Sequence, residues 1–268
     1  GVVHGPRLTC MRALTDNDIW MRGREGNPSD KLGYANLYQS GLTQLRYHVR
    51  ELKSVSNGVR AVVEVNGAKG AGFMHVAEYL FDEEGRMTIV NEVRPFGRMP
   101  KSLPRLGLSM MFEPELENFA YYGRGPWENY IDRCRGSFLG IWRSTVTEQY
   151  VGYARPQDNG YKSDVRWVSL TDVKGRGVKM SCSMPLFVQA LHYSWEDLEF
   201  ARQRDRQQRI WNVKTPRREV CLNLDIRQTG LGGASCGPIP EPQYLFPIQK
   251  EKWAVMFELE RGAASKLN

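Results

Sequence analysis

The stretch Tyr122-Gly-Arg-Gly-Pro-Trp-Glu-Asn-Tyr-Ile-Asp-Arg133 holds four charged side chains and three aromatic ones within twelve positions, punctuated by Gly123, Gly125 and Pro126. Two glycines and a proline force a tight, non-helical path. The reading is a loop that presents rings and charges to a ligand or an interface. Carboxylates recur in or beside such motifs at Asp16, Asp18, Glu128, Asp132, Asp158 and Asp164. Glycoside hydrolysis needs one carboxyl as acid and a second as nucleophile or base at a fixed separation. Spacing along the chain does not show whether two of these face each other. The residues themselves favour loop anchors that accept bonds from backbone N–H groups or arginine.

Other chemistries fit poorly. Gly123-Arg-Gly125 runs into Pro126, and Gly230-Leu-Gly-Gly233 runs into Ala-Ser-Cys-Gly-Pro. Neither opens a helix, as a dinucleotide fingerprint requires. His4, His48, His75 and His192 are isolated, and no pair has metal-ligand spacing. Ser235 lies outside any G-x-S-x-G elbow, and nothing near Cys236 in sequence would activate its thiol. From the residues alone, no complete catalytic set emerges.

The elements that must position these residues read as strands. The 268 residues are 41% apolar and 11% aromatic, enough for one large all-β domain with a buried core. Val59–Val65, Met87–Val93, Leu106–Phe112, Val165–Leu170, Val178–Ser183, Glu219–Ile226 and Trp253–Leu259 are rich in β-branched and apolar residues, and turn signals such as Asn57-Gly58 separate them. One helix is expected over Ser194–Ala201, with Ser194 as N-cap and Asp197 completing a shortened capping box. The expected fold is a large antiparallel β-sandwich with one short helix. Residues 1–18 would form a linker and lead-in strand, and 19–268 the sandwich.

The net charge of +7 comes from scattered arginines with one cluster at Arg202, Arg204, Arg206 and Arg209. Glu196, Asp197, Glu199 and Asp205 are interleaved with it, which points to a solvated face rather than a phosphate-tracking patch. Neither a nucleic-acid nor a membrane partner is expected. The five cysteines are odd in number and widely spaced, so reduced thiols are expected. The chain does not open on methionine, which suggests an excised segment of a longer protein. A soluble parent, in cytoplasm or periplasm, is the expectation.

The motifs together resemble the last domain of the large β-galactosidases of glycoside hydrolase family 2. Arg12-Ala-Leu-Thr-Asp-Asn-Asp18 is similar to the R-A-P-x-D-N-D segment that opens that domain. Tyr122–Arg133 resembles its G-x-G-P-x-E-N-Y-x-D-R loop, and Arg155-Pro-Gln-Asp-Asn-Gly160 its P-x-E-N-G loop. Asp225 to Gly233 resembles the late strand leading into a G-x-G-G turn. The resemblance implies a galactose-mutarotase-like supersandwich, the C-terminal or small-chain domain of an enzyme that hydrolyses terminal non-reducing β-D-galactosides with retention. It places the catalytic Glu pair and the Mg or Na sites in a barrel outside these residues, and implies no cofactor within them. The isolated chain is then expected to be inactive. Its implied partners are the remaining domains, a galactoside substrate and further copies of the full enzyme.

The resemblance also sets Ser235, Cys236 and Gly237 at the substrate rim, with Cys236 where many members carry a tryptophan. It makes Asp16, Asn17, Asp18, Glu128, Asn129, Tyr130, Asp132 and Arg133 a structural or interface motif. A stand-alone carbohydrate-binding or aldose-1-epimerase-like protein is the alternative, and would need an acid and a base such as Glu with His.

Overall fold

A computed structural model describes residues 1–20, 40–208 and 215–262. Among these residues the chain forms twelve strands: β1 (Val2–Thr9), β2 (Arg46–Val55), β3 (Gly58–Asn66), β4 (Gly72–Phe81), β5 (Met87–Phe96), β6 (Arg105–Phe112), β7 (Asn118–Gly125), β8 (Phe138–Thr145), β9 (Lys162–Thr171), β10 (Arg176–Leu191), β11 (Val220–Gln228) and β12 (Glu251–Arg261). Two α-helices accompany them, the single-turn α1 (Asp16–Trp20) and α2 (Trp195–Gln208). The fold is all-β, as its composition and turn spacing imply.

The strands hydrogen-bond in the order β1-β6-β11-β10-β12-β5-β4-β3-β2, with β9 also on β10, β7 on β9, and β8 on β7. Every pairing is antiparallel. The sheet curls so that its limbs enclose one core. Phe73, Ile89 and Val93 of one limb lie in the same buried cluster as Leu108, Met110, Leu222 and Leu224 of the other.

The curl depends on β10. Its first half, to Cys182, pairs with β12, and its last five residues pair with β11. The register on β9 breaks between Ser181 and Leu186. Pro185 sits in that break, where its missing N–H costs no ladder bond. One strand thereby turns the corner between two layers, a known use of a bulge.

Helix α2 begins where the sequence places it. The Ser194 hydroxyl accepts from the Asp197 N–H (3.3 Å), and the Asp197 carboxylate accepts from the Ser194 N–H (3.0 Å). It runs to Gln208 rather than ending at Ala201. No glycine or proline follows Ala201 before Pro216, so nothing in the backbone stops it. Arg202, Arg204 and Arg206 fall in this extension, and Arg209 lies outside the described residues. Residues 1–18 carry β1, which pairs with β6, followed by the buried segment Cys10–Thr15. Among the described residues no helix is long and apolar enough to cross a membrane.

Candidate functional site

The polar motifs meet where β11 runs into the Gly230-Leu-Gly-Gly233 turn. Arg12 is 1% exposed. Its guanidinium donates from Nε and Nη2 to the two Asp18 oxygens (3.1 and 2.8 Å), from Nη1 to the Thr229 carbonyl (2.7 Å) and from Nη2 to the Gly230 carbonyl (3.3 Å). Burial works against its charge, but Asp18 and then Asp158 hold its pKa above the ordinary arginine value. Asp18 also accepts from the Thr15 N–H and hydroxyl (2.9 and 3.0 Å), while its own N–H donates to Thr15 Oγ1 (3.2 Å). This reciprocal cap starts α1. A Thr-x-x-Asp spacing carried that signal in the sequence.

Tyr122–Arg133 is only partly a loop. Tyr122 to Gly125 end β7 and pair with Ile141 to Phe138 of β8, and the loop proper begins at Pro126. Gly123 serves packing rather than turning, because a Cβ there would lie 2.9 Å from Val165 Cα of the next strand. Within the loop, Asn129 is fully buried. Its N–H donates to the Tyr161 carbonyl (2.8 Å), its amide donates to the Arg124 and Trp127 carbonyls (both 2.9 Å), and its Oδ1 accepts from Ser163 N (2.8 Å). Glu128 accepts from Arg133 (2.6 Å), from the Tyr153 hydroxyl and from Gly160 N (2.8 Å). Asp132 accepts from Leu231 N (3.0 Å) and Gly232 N (2.7 Å). A Cβ on Gly230 would come within 2.5 Å of the Asp132 Cγ, so only glycine admits this approach.

Beneath the loop lies a second buried cation. Arg105 Nη1 donates to both Asp225 oxygens (3.0 and 3.2 Å) and lies 3.1 Å from the Tyr161 hydroxyl, which itself donates to Asp225 (2.6 Å). Its Nη2 reaches Thr9 Oγ1 (3.3 Å), and its Nε donates to the Met11 carbonyl. Tyr130 packs on Tyr161 and donates to Asp158 (3.0 Å), which also accepts from the Gln189 amide (3.1 Å).

Burial pushes the Asp158 carboxyl from 3.8 up to about 7, against the pull of Arg12 and Arg105. Between these values the folded chain holds a proton that the unfolded chain releases. The stability this contributes is full below about pH 4 and is lost as pH rises through about 7. Compared with the Asp158→Asn variant, the native chain is expected to lose about 4 kcal/mol of unfolding free energy across that window. Urea midpoints measured against pH check this, and a pH-independent difference between the two proteins would refute it.

Asn17 ties α1 to the far end of the turn. Its amide donates to the Gly232 carbonyl (2.7 Å), and its Oδ1 accepts from Ser235 N (3.0 Å) and Ser235 Oγ (2.7 Å). Asp16 faces Arg155 (3.5 Å), and its N–H donates to Gln157 (3.1 Å). A cleft of about 160 Å³ opens between these groups, lined by Asp16, Asn17, Arg133, Tyr153, Asp158 and Ser235 among others. Gly237 N and Cys236 N both donate to the Gly233 carbonyl (2.6 and 2.9 Å), which closes the loop on itself. Cys236 is exposed, while Cys10 and Cys221 are buried with thiols pushed up to about 12 by burial. Maleimide treatment of the native chain should therefore place its first adduct on Cys236. Peptide mass mapping checks this, and first modification at Cys10 or Cys221 would contradict it.

A family model described as the β-galactosidase small chain matches residues 2–259. The chain belongs to this family. A β-galactosidase of Priestia megaterium is 36% identical over 231 residues, covering 85% of this chain and 20% of that protein. One of Lactobacillus delbrueckii subsp. bulgaricus is 31% identical, covering 92% of this chain and 23% of that protein. β-Galactosidase BgaC of Bifidobacterium adolescentis is 29% identical, covering 93% and 23%. The small-chain domain thus spans about a fifth to a quarter of the length of these relatives.

Within the small-chain domain, Asp16 and Asp158 line the cleft, Asp132 binds the turn, Asp18 is tied to it through Arg12, and Glu128 bonds Arg133 and Tyr153 of the cleft wall. Asp164 instead sits on the β7–β9 side, bound to Arg124 at a positive φ of 54°. His75 bonds the Asn91 side chain (2.9 Å), and His192 bridges Glu117 (2.9 Å) and the Glu219 carbonyl (3.1 Å). Arg105, Tyr161 and Gln189 had no motif to flag them. A buried arginine at the start of a strand looks the same in sequence as an exposed one.

Proposed function

We propose that this small-chain domain completes the substrate rim of a retaining β-galactosidase whose catalytic Glu pair and metal sites lie in its other domains. The observation that carries this is the double clamp on the turn from Gly230 to Ser235. Asp132 holds its N–H groups on one side, and Asn17 holds Gly232 and Ser235 on the other. Two independent side chains fixing one exposed loop is what a contact surface of set geometry requires. Its tip presents Ser235, Cys236 and Gly237 toward the partner domains. A cysteine there offers a galactoside less stacking area than an aromatic residue and leaves more room.

Among the described residues, no three His, Cys, Asp or Glu side chains gather as a metal site. None of the role proposed here passes through a metal.

In the full-length enzyme, Asp132→Ala should release the two turn N–H groups and lower kcat/KM on a nitrophenyl β-galactoside by about tenfold or more. The melting curve of the domain should move little. An unchanged kcat/KM would remove the rim role. A parent that cleaves another glycoside but no β-galactoside would remove the substrate assignment.

A further inference from the structure

A second groove of about 450 Å³ flanks the turn on the side of Ile131 and Tyr244. The volume lies within the range of small-molecule pockets. Two backbone irregularities shape it. The break in β10 leaves Met184 and Pro185 as one wall, and a register shift in β11 between Asp225 and Arg227 redirects the residues that follow. Bulges that redirect side chains are concentrated next to binding sites.

The groove holds one polar group that the protein itself does not satisfy. Gln228 is 3% exposed and lines the groove, yet neither its amide nitrogen nor its amide oxygen has a hydrogen-bond partner. Leaving both halves of a buried amide unmet is costly, because each half has given up its water without gaining a partner. Natural structures rarely keep such a group without a use for it. The backbone around it is firmly placed. Gln228 pairs with Arg105 in the β6–β11 ladder, the Tyr244 carbonyl accepts from Gly230 N (2.8 Å), and Phe246 N donates to Thr229 Oγ1 (3.0 Å).

The chemistry of the lining selects the class of ligand. Arg227 is the one charged residue lining the groove, and Glu251 neutralises it through two bonds (3.0 and 3.4 Å). The rest of the polar lining is amide, from Gln228, Gln243 and Gln249. The apolar lining includes the rings of Phe187, Tyr244 and Phe246. A neutral site with an amide that can both donate and accept suits adjacent hydroxyl groups, one accepting from the amide N–H and the next donating to its oxygen. Aromatic walls suit the C–H face of a pyranose ring. We propose that the Gln228 groove binds a neutral hexopyranose unit. This does not rest on the rim role, because it is read by binding to the chain and not by hydrolysis.

The test is a titration of the 268-residue chain, and of the full-length enzyme, with galactose, glucose and lactose, followed by calorimetry and ligand-detected NMR. Saturable binding with a Kd of roughly 1 mM is expected for at least one of them. Gln228→Leu should weaken it at least about tenfold, while the melting temperature holds or rises because the unmet amide is gone. Tyr244→Ala, which keeps the backbone carbonyl, should weaken it as well. No saturable binding to the native chain, or equal binding in both variants, overturns the proposal.

Discussion

Replacing Arg105 with methionine is expected to remove about 3–5 kcal/mol of stability, the cost of leaving a buried charge without its partner. A domain of this kind has about 5–15 kcal/mol in all, so the variant should be largely unfolded near body temperature or collect as insoluble protein. The substitution keeps much of the apolar stem but omits the guanidinium head, so a little packing is lost along with the charge. Asp225 would be left in a site with no solvent, bonded to Tyr161 alone, and Thr9 and the Met11 carbonyl would lose their donors. The companion experiment removes both charges. Arg105→Met with Asp225→Leu should recover much of the loss, because a buried ion pair is costly to break but often close to neutral to replace. Denaturant melts of the two variants decide the matter. A single variant that costs less than about 1 kcal/mol would mean that the pair contributes no more than an exposed one.

Arg12→Ala is expected to cost a similar amount, again about 3–5 kcal/mol, and to act first on the turn. The guanidinium bridges Asp18, at the start of α1, to the Thr229 and Gly230 carbonyls, which lie more than two hundred residues away in sequence. With it gone, Asp18 keeps its cap on Thr15 but carries an uncompensated buried charge. Arg12→Lys should fare almost as badly. An ammonium cannot donate to a carboxylate in two places and reach two carbonyls from the same plane. Thermal melts of the chain should show the Arg12→Ala and Arg12→Lys variants both unfolding well below the native protein. A lysine variant as stable as the native chain would contradict this account.

The sequence was informative where residue type alone decides structure. Val59–Val65 and Trp253–Leu259 carry the β-branched and apolar pattern of strands, and both lie inside observed strands. β7 and β8 escaped for a physical reason. Gly123 and Gly125 look like turn residues, but at these positions they allow close approach to Val165, Tyr121 and Trp142. β8 pairs on one side only and exposes Phe138, Leu139 and Ile141, so its apolar pattern does not alternate as a half-buried strand would. β2 and β4 were likewise unread, whereas β1 falls within the lead-in strand expected over residues 1–18. In the site, the motif residues could be named one by one. That Asp132 would meet the backbone of the Gly230–Gly233 turn, with Asn17 on its other side, is a long-range fact that no local pattern encodes. The orphaned amide of Gln228 is invisible for the same reason, since being unpartnered belongs to the folded surroundings and not to the residue.

The corner made by β10 has a consequence for how the domain comes apart. A sandwich built from two separate sheets can split along the plane between them, one leaf outlasting the other. Here both leaves own part of the same strand, through β12 on one side and β11 on the other. Tearing either leaf away withdraws half of the other's hydrogen-bonded border. The domain should therefore melt as one unit, and a chain reopened within Ser183–Pro185 should forfeit cooperativity, whereas one reopened at the exposed Lys174-Gly175 turn should keep it.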